Sequence, residues 1–139
     1  CQGAEAALDA ALAAAGPALA ALGVTVATRK TLVEGEEQAR ALRLVSSPSI
    51  RINGRDIQPE LREDMCGTCS TLPGQTAVEC RVWTWRGEEH QAPPVGMIVE
   101  ALLRAAQAEP APAGADADFA VPENLRGFFR NKMGKMGCC

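Results

Sequence analysis

Tyrosine is absent from this chain, and three phenylalanines and two tryptophans make up its whole aromatic complement. A core with so few rings has to be aliphatic and modest. There is one histidine, His90, set between Glu89 and Gln91 with no nucleophile near it in sequence. The acidic residues show no paired, enclosed context for acid–base catalysis, and no glycine-rich phosphate-binding motif is present. Positive charge is not in excess: 14 Lys and Arg stand against 17 Asp and Glu, a net charge of -3. Nucleic acid, whose phosphates call for a basic face, is therefore not an expected partner. No apolar run approaches the roughly 20 residues that span a bilayer, so no membrane partner is expected. A basic stretch followed by an apolar core, the mark of a signal peptide, is also missing.

What is there fits one domain with a tail. The 139 residues are 47% apolar, with much of that alanine, enough for a single core. Six cysteines stand at Cys1, Cys66, Cys69, Cys80, Cys138 and Cys139. Adjacent cysteines at a chain end staple nothing, so a disulfide framework is the weaker interpretation. A cytoplasmic set used for chemistry is the stronger one. The first residue is Cys1 rather than Met, which is expected of a processed chain or a fragment.

Along the chain, Ala4 to Leu22 is expected to be helical, with Leu8, Leu12, Ala15, Leu19 and Leu22 on one face. Gly16-Pro17 should kink or restart it, and Gly23 should stop it. The β-branched run Val24 to Thr28 predicts a strand. Glu34 to Leu44 predicts a second, weaker helix. Ser46-Ser47-Pro48-Ser49 is a proline turn where a cis bond is plausible. Ile50 and Ile52 alternate with Ser49 and Arg51 as a strand does, and Asn53-Gly54 accepts positive φ at both positions of a tight hairpin. Strands separated by helices imply parallel neighbours in one sheet with helical cover.

Residues 58–77 form a polar loop holding Cys66-Gly67-Thr68-Cys69. Val78 to Trp85 is expected as one strand, with Val78, Cys80, Val82 and Thr84 on one face and Arg81, Trp83 and Trp85 on the other. Arg86-Gly87 turns it back. Pro94 opens a helix whose apolar face carries Met97, Ile98, Ala101, Leu102 and Ala105. Residues 109–118 are a Pro/Ala linker by composition. The tail, 119–139, carries a short helix and ends on the vicinal cysteines. The domain expectation is thus 1–108, with 58–77 inserted, then linker and tail.

The proline turn before a strand, the order of elements and a thiol at the start of the first helix resemble the thioredoxin-like fold. That resemblance implies an α/β three-layer sandwich, a mixed sheet flanked by helices, with the first strand and first active-site cysteine missing ahead of Cys1. It further implies that Ser47 and Pro48 form a cis-proline loop facing the first helix. More narrowly, Ser46 to Gly54, Cys66-Gly67-Thr68-Cys69, Glu79-Cys80-Arg81 and the Pro94-to-Leu103 helix resemble domain-of-unknown-function family 2703, which brings no established activity.

The cysteines allow two chemistries. Cys1, at a helix N-terminus, has a dipole that favours its thiolate. With Cys66, Cys69 and Cys80 it makes up the catalytic candidates for a thiol–disulfide oxidoreductase, supplied by a thiol reductant. Alternatively, Cys66, Cys69, Cys80 and His90 would complete a tetrahedral shell for zinc or another thiophilic metal, making a non-enzymatic binding module. Cys138 and Cys139, beside Lys132 and Lys135, can chelate a soft ion or pass it inward, because thiolates select soft metals. Mercuric reductases are similar in ending on such a pair. The leading expectation is thiol–disulfide exchange or the handling of mercury, arsenic or copper.

Overall fold

The structure, a computed structural model, describes residues 2–65, 79–108 and 119–132. It is mixed α/β, with helices and small antiparallel sheets. The chain divides into two units that share it in alternating segments. The first unit takes residues 1–30, 50–60 and 83–115; the second takes 31–49, 61–82 and 116–139.

In the first unit, helix α1 (Gln2–Ala21) packs on helix α3 (Val95–Gln107). The buried stripe of α1 is Ala4, Ala11, Ala15 and Leu19, mostly small residues that let the two helices approach closely. Leu22, expected on that face, is 53% exposed instead, because the helix has already ended in the turn at Gly23 (φ 72°). The helix runs through Pro17 as one element and is not restarted there. Pro17 and Ala13, whose carbonyl it cannot pair with, both lie on the exposed side, where that carbonyl is open to solvent. By length and composition Gly3–Ala21 is apolar enough to cross a membrane, so the expectation that no run reaches that length fails. Here its Ala11, Ala15 and Leu19 belong to a core with Ile50, Trp83, Met97, Ile98 and Leu102.

Strands β1 (Arg51–Ile52) and β2 (Arg55–Asp56) pair antiparallel about Asn53 and Gly54, whose φ values of 51° and 80° are both positive, as a two-residue hairpin of this kind requires. A second hairpin, β5 (Trp83–Trp85) with β6 (Glu88–His90), repeats the device at Arg86 and Gly87, φ 54° and 83°. The expected strand at Val24–Thr28 does not form among the described residues. A strand exists only where a neighbour pairs with it, and no described segment does so. That segment is instead pinned at its end, where the Lys30 ammonium meets Glu5 and Asp9 at 2.9 Å each.

In the second unit, α2 (Glu36–Ala41) and α4 (Glu123–Lys132) pack through Ala39, Leu44, Val121, Leu125 and Phe129. Leu125 and Phe129, four residues apart, share one face of α4, and Val121 lies two residues ahead of the helix. Strands β3 (Glu63–Met65) and β4 (Glu79–Arg81) complete the unit as an antiparallel pair. All three sheets among the described residues are two-stranded and antiparallel. The parallel neighbours inferred from strands separated by helices are therefore not found: each strand pairs with its nearest partner along the chain or across one segment.

Residues 79–85 are not one strand either. The chain changes partner at Val82, whose N–H donates to the Arg62 carbonyl at 2.8 Å. Arg81, Val82 and Trp83 are buried in succession, so this stretch does not alternate one enclosed face with one solvated face.

Candidate functional site

The described part of the site is the β3–β4 ladder. Its register sets Glu63 opposite Arg81, Asp64 opposite Cys80 and Met65 opposite Glu79. Residues 66–78, with Cys66 and Cys69, lie between the two strands in sequence, so the Met65–Glu79 pair closes that segment at its base. Cys80 is half-buried, in the middle of the ladder.

Next to the ladder is the turn at residues 46–49, in which the Ser47–Pro48 bond is cis. The Arg81 N–H donates to the Ser47 carbonyl at 3.3 Å. The Arg81 side chain, 1% exposed, reaches the same turn, where its Nη1 donates to Ser49 Oγ at 3.2 Å. Ser49 Oγ in turn donates to the Ser46 carbonyl at 2.6 Å. Ser46, wholly buried, donates its hydroxyl to Glu63 Oε1 at 2.7 Å. The same oxygen accepts from Asn124 Nδ2 of α4 at 2.7 Å, and that amide also reaches the Glu79 carbonyl at 3.3 Å. Turn, ladder and tail helix are thus joined through one carboxylate. A charge-assisted bond of this kind is stronger than a neutral one, and enclosure raises the penalty for leaving any member unpaired.

Of the residues singled out in the sequence, Ser47, Pro48 and Cys80 come together in this unit. His90 belongs to the first unit, on β6 opposite Trp83, with its Nε2 enclosed and without a hydrogen-bond partner among the described residues. Cys1, Cys66, Cys69, Cys138 and Cys139 lie outside the described residues, as do Val78 and the linker 109–118. Among the described residues no group of three or more His, Cys, Asp and Glu is placed to hold a metal ion. The groove between α1 and the segment after it, lined in part by Leu12, Leu19, Val24 and Val26, has no titratable side chain among its lining residues.

Ser46, Glu63, Arg81 and Asn124 were not anticipated as a set. The available signal was Arg81: alternation along 79–85 sets it with Trp83 and Trp85, and a guanidinium enclosed beside apolar rings would need acceptors. Two groups with shifted pKa belong to the first unit. The hydrogen bonds that the Lys30 ammonium donates to Asp9 and Glu5 raise its pKa. The Trp85 indole N–H, with the Arg104 charge second, lowers that of Glu100.

The family model described as Domain of unknown function (DUF2703) matches residues 1–102. No curated protein matches the chain, and no solved structure does. With most of its length covered by that match, the chain belongs to the DUF2703 family.

Proposed function

We propose that this is a thioredoxin-like cysteine protein of the cytoplasm that performs thiol–disulfide exchange or handles a soft metal ion. Its partner is a thiol reductant or an ion such as mercury, arsenic or copper. The observation that carries the reading is the ladder register. With Met65 against Glu79 and Asp64 against Cys80, a third thiol stands beside the base of the segment that carries Cys66 and Cys69. The thioredoxin-like arrangement is part of the proposal, supported by the proline turn that leads into β1.

In the exchange reaction the thiolate of Cys66 or Cys1 attacks one sulfur of a substrate disulfide. The S–S bond breaks, a mixed disulfide forms, and the other substrate sulfur leaves as a thiolate. Cys69 or Cys80 then attacks the mixed disulfide and releases the second substrate thiol. The two electrons end on the substrate and the protein holds a disulfide, which the thiol reductant reduces. Cys138 and Cys139 supply reducing equivalents or an ion to that set.

Differential alkylation with mass mapping tests this on protein isolated without reductant, beside metal analysis and a disulfide-reductase assay. A reducible disulfide joining two of Cys66, Cys69 and Cys80 is expected, with reductase activity lost when Cys66 becomes Ser. One tightly held zinc, three unoxidised thiols and no reductase activity would replace it with a non-enzymatic zinc module built on Cys66, Cys69 and Cys80.

A further inference from the structure

We infer that α4 is a latch on the β3–β4 ladder, fastened by Asn124, and that the fastened latch restrains the reactivity of Cys80. As regulation of the thiol chemistry it rests on the function proposed above; as a property of Cys80 it stands without it.

Asn124 Nδ2 touches both strands at once, Glu63 on β3 and the Glu79 carbonyl on β4. These residues immediately precede Asp64 and Cys80, which face each other in the ladder. One amide therefore ties the strands together next to the half-buried thiol. With only three residue pairs, the ladder is short enough that local parting of its strands competes with closure. A reagent needing full access to Cys80 waits for that parting, and the Asn124 bonds oppose it.

The latch also has a way to open. α4 is ten residues long, a length at which an isolated helix is marginal in water. Its order depends on docking Leu125 and Phe129, with Val121 just ahead of the helix, against Ala39 and Leu44 of the same unit. Whatever engages that face of α4 withdraws Asn124 from the ladder.

The test follows iodoacetamide labelling of Cys80 in the fully reduced full-length chain, resolved by fragment-ion mass spectrometry, with amide exchange in parallel. Asn124→Ala should raise the labelling rate about tenfold, in line with loss of a hydrogen bond to a charged acceptor. Protection at residues 63–65 and 79–81 should fall while Ala39 and Leu44 stay protected. Asn124→Asp, which sets a carboxylate against Glu63, should raise the rate at least as much. Adding Glu63→Gln to that variant lets the new amide donate to the introduced carboxylate but leaves the Glu79 carbonyl without its donor, so the rate should fall only part of the way back to wild type. Arg130→Ala, which removes only an exposed ion pair to Glu123 on the same helix, should leave it unchanged. Wild-type labelling in both Asn124 variants would overturn the latch, as would a gain accompanied by general loss of protection at Ala39 and Leu44. Because these rates are read on reduced protein, they stand whether or not a disulfide is ever found, and failure of the two proposals is separable.

Discussion

Gly96 sits in the first turn of α3 under the ring of Trp85, and replacing it with alanine is a direct test of how the first unit packs. A Cβ built there would lie 2.5 Å from Trp85 Cη2 and 2.9 Å from Cζ2, distances that real contacts do not reach. The ring cannot step aside freely. Its Nε1 donates to Glu100 at 3.1 Å, and the Arg86 guanidinium lies 4.4 Å from the ring centroid. Overpacking of this kind costs about 1–3 kcal/mol, and loss of the indole hydrogen bond adds about 1 kcal/mol. Against this, alanine gains up to about 1 kcal/mol over glycine in a helix, and less in a first turn. The net expectation for Gly96→Ala is a destabilisation of about 2 kcal/mol. In urea this lowers the unfolding midpoint by about 1 M at a typical slope, followed by the fluorescence of Trp83 and Trp85. Repeating the substitution in a Trp85→Leu background isolates the contact, because there the added methyl should be neutral or mildly stabilising. An unchanged or higher midpoint for Gly96→Ala alone, or the same loss in both backgrounds, refutes the packing.

Glu100 titrates below its ordinary value of 4.5, held there first by the Trp85 N–H and then by Arg104. Its contribution to stability is therefore present above that value and lost as pH falls through the lower folded one. A Glu100→Gln variant should differ from wild type in stability at pH 6 and converge on it near pH 2; a gap independent of pH would count against the bond. Gly54 stands at φ 80° with nothing near its missing Cβ, so Gly54→Val should lose about 1–2 kcal/mol from backbone strain alone, read as a lower melting temperature. Glu63→Ala leaves the buried Ser46 hydroxyl and the Asn124 amide without their shared acceptor and should cost about 3 kcal/mol. Ser46→Ala leaves Glu63 its other donor and should cost about 1 kcal/mol; equal losses in urea titrations would dissolve the network.

What was legible in the sequence was what is settled locally. Asn53-Gly54 and Arg86-Gly87 turn because positive φ is needed at both positions of each pair, and that requirement travels with the dipeptide. α3 was legible because Met97, Ile98 and Leu102 recur at helical spacing on one face. The misreadings share a different cause. Val24–Thr28 has the composition of a strand, yet pairing is a property of two segments and composition belongs to one. The break at Val82 follows from β4 and β5 choosing different partners, which alternation along a single stretch cannot register. Leu22 matched the apolar period of α1 but lies beyond the turn at Gly23. For the site, the cysteines drew attention because their spacing is visible, whereas Ser46, Glu63, Arg81 and Asn124 are far apart in sequence and individually ordinary. Only the topology makes them a set.

That set explains why the second unit needs polar contacts at all. Its residues come from three separate stretches of chain: 31–49, 61–82 and 116–139. Apolar burial is non-directional, so Val121, Leu125 and Phe129 bring α4 onto Ala39 and Leu44 without settling its rotation or its position along the helix axis. Glu63 does settle them. Its Oε1 is fixed on β3 and accepts from Ser46 in the first stretch and Asn124 in the third. A rotation or one-residue slip of α4 would carry Asn124 off that oxygen while leaving much of the apolar contact in place. The carboxylate therefore discriminates between dockings of similar apolar area, and it does so at the strand pair on which Cys80 is displayed. The residues that assemble the unit are in this way the same ones that position its described thiol.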